Sequence, residues 1–173
     1  MRNITTIVIH HSVTPQSWSK EKTLKVIDDE HHNPNIHSFK NGIGLYVAYH
    51  MLIFPDGNIK DTRPINEVGH HAGNLPVNNV SVGICLIGNF ETDQPTPEQS
   101  DSLKRILKSL MADYGITRDN IKLHKEVRLK PTACPGKNIT HAYIDSLLVH
   151  RPSLHQRLLR RARLLRLRLK RHS

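Results

Sequence analysis

Residues 80–88, Val-Ser-Val-Gly-Ile-Cys-Leu-Ile-Gly, constrain the fold more than any other segment. The run is apolar, of strand length and followed by loop residues, which predicts a strand in the middle of a sheet. A second β-branched run, residues 4–10, predicts another strand and ends in the polar His10-His11-Ser12. Residues 46–54 and 58–62 predict a hairpin around Pro55-Asp56-Gly57, where Gly57 supplies the positive φ of a tight turn. Residues 121–124 predict one more short strand. Helices are expected over residues 17–31, capped by Ser17 or Ser19, and over about 141–150. The strongest helix start is Thr96-Pro97-Glu98-Gln99: a capping threonine, a proline in the first turn and a glutamine that closes a capping box. Leu103, Ile106, Leu107 and Leu110 continue it three and four apart, and Gly115 ends it. Residues 33–44 and 68–79 read as loops. Strands alternating with helices, plus one hairpin, predict an α/β domain with a mixed central sheet flanked by helices.

The chain has 173 residues, which suits one domain and an appendage. Two cysteines are too few for a disulfide framework, and a reducing compartment is expected. The first residues contain no apolar segment of signal-peptide length, so synthesis without an export signal is expected. The net charge of +10 is unevenly spread. Residues 151–173 hold nine Arg or Lys and no acid, which leaves sixteen bases against fifteen acids in residues 1–150. The boundary is therefore drawn there: a nearly neutral catalytic domain, 1–150, and a cationic tail, 151–173.

In the tail, Leu154, Leu158, Ala162, Leu165 and Leu169 fall within about 80° of one another on a helical wheel. Such a basic amphipathic helix suits an anionic membrane interface, phospholipid or lipopolysaccharide. A solvated or core-docked helix is the plainer alternative. Nucleic-acid binding is disfavoured because no aromatics interleave the charges, so no specific nucleic-acid partner is expected.

Three residues suggest a metal. Zinc takes histidine nitrogen and cysteine sulfur, and catalytic sites commonly use three protein donors. His10 and His124 both end predicted strands, and Cys134 follows His124 by ten residues on a proline-containing loop. Spacing alone leaves open that His10 is a polar strand end and Cys134 an ordinary loop cysteine.

The motifs around them add a resemblance. Ile7-Val8-Ile9-His10-His11-Ser12, Tyr49-His50-Met51-Leu52-Ile53 with Asp56-Gly57, His71-Ala72-Gly73 with Ser81-Val82-Gly83-Ile84, and His124-Lys125-Glu126-Val127 with Thr132-Ala133-Cys134-Pro135-Gly136 occur in order. Together they resemble the type 2 N-acetylmuramoyl-L-alanine amidases, a family of phage lysozyme-like amidases and peptidoglycan recognition proteins. The likeness covers about residues 4–147 and stops before the tail. It implies Zn2+ held by His10, His124 and Cys134, with Tyr49 and Thr132 as catalytic helpers and His71 lining the substrate groove. It implies hydrolysis of the amide between N-acetylmuramic acid and L-alanine, with peptidoglycan as the partner. A monomer is expected, held in the host cytoplasm until released to the wall, as for an endolysin. Here the segment from His124 to Cys134 is two residues longer than the family pattern, which makes Lys130 a second candidate for the lysine that some amidases carry at position 132.

Neighbouring residues are set aside. His11 and His50 point to the opposite strand face from His10 and Tyr49. Cys85 lies in the apolar strand and reads as a buried structural thiol. Two alternatives to an enzyme are carried: a peptidoglycan-binding module without catalysis, whose family members typically lack the ligand cysteine, and a membrane-active cationic protein acting through its tail.

Overall fold

The computed structural model of the chain describes residues 2–32 and 40–149. The tail lies outside these residues, as does most of the loop expected over 33–44. Five strands form one sheet in the order β3-β2-β4-β1-β5. They are β1 (Thr6–His11), β2 (Met51–Ile53), β3 (Ile59–Asp61), β4 (Ser81–Leu86) and β5 (Ile121–Leu123). The apolar run is the central strand, β4, as its sequence predicts. It pairs in parallel with β1 and β2, β5 adds in parallel to β1, and β3 closes the hairpin antiparallel to β2.

The register sorts the side chains onto two faces. Ile7, Ile9, Val82, Ile84, Leu86 and Ile53 join one core beneath α3 (Pro97–Tyr114), which contributes Leu103, Ile106, Leu107 and Leu110. Ile144 of α5 (His141–Leu148) joins the same core. Leu52 and Cys85 face the other way, where Ile27 of α1 (Lys20–His31) covers them. Every residue of β4 is buried, which is why its sequence is a continuous apolar run rather than an alternating one. Thr96 caps α3 with the expected capping box, and Gly115 ends it at φ 66°. Ser19, not Ser17, caps α1.

Three expectations are corrected. The strand predicted over 46–54 is reduced to Met51–Ile53. Side chains of α1 take the backbone donors that a longer ladder would use: the Asp28 carboxylate accepts from Tyr46 and Val47 N–H at 2.6 and 3.1 Å, and His31 Nδ1 accepts from Ala48 N–H at 3.1 Å. The loop expected over 68–79 contains a short helix, α2 (Leu75–Val80), with Pro76 in its first turn. Tertiary bonds hold it: Asn78 Oδ1 accepts from Ala72 N–H at 2.8 Å, and Arg2 donates to Asn78 O at 2.9 Å. His124 does not end a strand. It opens a helical turn, α4 (His124–Val127), whose Glu126 carboxylate accepts from Leu123 N–H at 2.6 Å.

Asp28 thus fixes the segment that leads into Tyr49. Replacing it by alanine strands two backbone donors, so Asp28→Ala is expected to cost about 1–3 kcal/mol in urea unfolding. An unchanged midpoint would show that the carboxylate does not hold this segment.

Candidate metal centre

The register of β1 on β4 sets His10 beside Cys85, on the face covered by α1 rather than by α3. His10 is fully buried there, and His11 points to the opposite face, stacked near Phe90 in the α3 core. The expectation that the two histidines diverge holds for a simple reason: successive strand residues alternate faces.

His124 and Cys134 arrive from elsewhere in the chain. His124 leaves the end of β5, the strand next to β1, and its ring centroid lies 4.3 Å from that of His10. Cys134 returns on the following loop. Its carbonyl accepts from Lys125 N–H at 2.9 Å, and its sulfur accepts from His11 N–H at 3.4 Å. The loop then presses against Phe90. A Cβ on Gly136 would stand 2.4 Å from the Phe90 carbonyl carbon, and Gly136 has φ 93°, so only glycine fits there.

Donor atoms of His10, His124 and Cys134 lie within 4.8 Å of one another. His10 Nδ1 is 3.8 Å from Cys134 Sγ. Zinc bonds of about 2.0–2.3 Å at tetrahedral angles would set such a nitrogen and sulfur about 3.5 Å apart. The buried ring nitrogens of His124 meet no partner in good hydrogen-bond geometry, although the Ala72 backbone acts on the ring. A buried imidazole left so costs free energy unless something binds it. The donor set therefore fits zinc.

Burial also keeps the donors neutral. It holds His10 well below the usual histidine value, with His71 and His124 adding to the effect. It lowers His124 to about 4, helped by the nearby Arg128 charge, and raises the Cys134 thiol to about 11. Neutral imidazoles offer lone pairs without releasing protons near neutral pH, whereas the thiol must lose its proton to bind a metal.

Other expected residues fall around this centre. The Tyr49 ring lies 5.0 Å from that of His10 and packs edge-on against His31. Burial, with Cys85 and Cys134 close by, pushes its hydroxyl well above its ordinary value, so it stays protonated and able to donate. The Thr132 hydroxyl accepts from Cys134 N–H at 3.2 Å and so shapes the turn that presents the sulfur. His71 is buried behind the centre, with Nδ1 3.0 Å from His10 Nε2. His50 is structural, as expected: its Nδ1 accepts from Gly83 N–H at 3.0 Å, and its Nε2 lies 3.1 Å from Glu67 O. Cys85 is a buried free thiol, also as expected.

The longer loop contributes a cation that spacing does not single out. Arg128, rather than Lys130, is the base whose charge is felt at both His124 and Cys134, though both are exposed. Its stem packs on Gly73, within 3.0 Å of where a Cβ would stand. Asp28 and His31, which seat Tyr49, carry no sequence signal either, because nothing local marks an α1 side chain as a partner for a loop 18 residues away.

Since only the thiol releases a proton, the apparent zinc Kd is expected to fall about tenfold per unit between about pH 6 and 8. Competition with a chromogenic chelator measures this, and a flat profile would contradict a thiol donor.

Comparison with known proteins places this geometry. A family model for N-acetylmuramoyl-L-alanine amidase matches residues 1–137. The endolysin of Escherichia phage T7 is 36% identical over 111 residues, covering 61% of this chain and 69% of that protein. Peptidoglycan-recognition protein 2 of Holotrichia diomphalia is 28% identical over 131 residues, covering 75% of this chain and 66% of that protein. Among solved structures, N-acetylmuramoyl-L-alanine amidase LysC from Clostridium intestinale URNW superposes with a TM-score of 0.66 at 35% identity, covering 85% of this chain and 86% of that one. Matched segments span from about half to just over two thirds of the curated relatives' lengths. A family match that runs from the first residue through the cysteine loop, with a shared fold over most of both chains, makes this chain a member of the N-acetylmuramoyl-L-alanine amidase family.

Proposed function

We propose that the protein is a zinc-dependent N-acetylmuramoyl-L-alanine amidase that cleaves the bond between N-acetylmuramic acid and L-alanine in peptidoglycan. The observation that carries this reading is the convergence of His10, His124 and Cys134, whose donor atoms lie within 4.8 Å of one another. When bound, zinc supplies Lewis-acid activation of water and of the scissile carbonyl. The protein's own groups do the rest. His10, His124 and Cys134 hold the ion and exclude bulk water from its inner side. Tyr49, kept protonated by burial, donates a hydrogen bond to the developing oxyanion, a contribution of roughly 3–4 kcal/mol for such donors. Thr132 orients the cysteine turn and presents its hydroxyl beside the centre.

A non-catalytic binding module is the second reading, favoured by the likeness to the peptidoglycan-recognition protein of Holotrichia diomphalia. The complete donor set argues for the enzyme, since a module that only binds has no use for three buried metal donors.

For the tail, we propose binding to anionic lipopolysaccharide or phospholipid, supported by nine bases and no acids over residues 151–173. No helix among the described residues is long and apolar enough to cross a membrane.

Digestion of purified peptidoglycan is expected to free L-alanine amino termini and to stop when a chelator is added. New reducing sugar ends would overturn the amidase reading. Cys134→Ser is expected to lose zinc and activity together, and full activity in that variant would refute the cysteine as a donor. Truncation after residue 150 is expected to spare digestion of purified peptidoglycan while weakening action on cells with an intact outer membrane. Equal action on such cells would remove the membrane role of the tail.

A further inference from the structure

His71 is a buried polar side chain beside the metal centre, and its surroundings explain what it does. Alternate residues of β4 on the His10 face are Ser81, Gly83 and Cys85. Gly83 leaves a gap between the other two, and the His71 ring fills it. A Cβ on Gly83 would stand 2.5 Å from His71 Cδ2 and Cγ, and a Cβ on Gly69 would stand 2.7 Å from Cδ2. Two glycines thus make room for one imidazole. From that slot, Nδ1 meets His10 Nε2 at 3.0 Å and Nε2 lies 3.4 Å from Ser81 Oγ.

We propose that His71 is a positioning residue, the middle of a His10–His71–Ser81 relay that fixes the tautomer and ring orientation of the ligand His10, rather than a wall of the substrate groove. The reading rests on His10 being a zinc donor. His10 Nδ1 faces Cys134 Sγ, so Nδ1 is the ligating atom and Nε2 keeps the hydrogen. That N–H donates to His71 Nδ1, which must then be the unprotonated nitrogen. The His71 hydrogen is left on Nε2, directed at Ser81 Oγ. The His71 ring is held in this slot between Gly83 and Gly69. At 5% exposure His71 has almost no surface to offer a substrate. Partners of this kind typically change metal affinity 10–100-fold when removed.

The test measures zinc directly, apart from peptidoglycan digestion. His71→Phe keeps a ring of similar bulk and removes both hydrogen bonds. It is expected to weaken zinc binding about 10–100-fold by chelator competition. His71→Asn, whose carbonyl oxygen takes the place of Nδ1 as acceptor, is expected to recover most of that loss. Long-range 1H–15N correlation spectra of the zinc-loaded wild type need no variant at all, and should show both His10 and His71 protonated on Nε2. Wild-type zinc affinity in His71→Phe, or His71 protonated on Nδ1, would overturn the relay and leave the amidase reading standing. A wild type that binds no zinc would remove the metal centre itself, and the relay with it.

Discussion

Parallel pairing of β1 with β4, in the register that sets His10 against Cys85, is the constraint on which the rest depends. A slip of one residue would turn His10 into the α3 core and bring His11 round to the α1 side. Nothing about a histidine makes that register favourable. Apolar burial does: Ile7 against Val82 and Ile9 against Ile84 are fully covered on the α3 side. The side chains that determine where the candidate donor His10 points are thus the aliphatic residues Ile7 and Ile9 before it on β1, which face the α3 core.

The donors that meet His10 come from segments that cannot move independently of it. β5 pairs with β1 over Ile7 to Ile9, so the residue after β5 emerges beside His10. The cysteine loop is then tied at both ends, by Lys125 N–H to the Cys134 carbonyl and by Asn138 N–H to Phe90 O at 3.0 Å. Backbone hydrogen bonds of this kind each contribute only about 1 kcal/mol net. Their value lies in direction: they hold Sγ near both imidazoles while the burial that makes the pocket also keeps the donors uncharged.

Tyr49 shows a different solution. It precedes β2 rather than lying within it, and the three residues before it are held by Asp28 and His31 of α1. That segment brings Tyr49 against His10 while His50 turns inward to accept from Gly83.

From sequence, the periodicities of β1, β4 and α3, the capping box at Thr96 and the ordered motifs around His10, Tyr49, His124 and Cys134 are all legible, because each is a property of a short segment and its own side chains. What fills the gap over Gly83 is not legible, nor are the length of β2, the helix at Leu75–Val80 or the approach of Arg128 to the centre. Each of these is decided by a partner from a distant segment: His71 over Gly83, Asp28 on Tyr46, Asn78 on Ala72, Arg128 on Gly73. Local pattern singled out the candidate residues for the chemistry. Only the packed fold decided which of them touch, because a hydrogen bond or a close approach exists only where two parts of the chain have already been brought together.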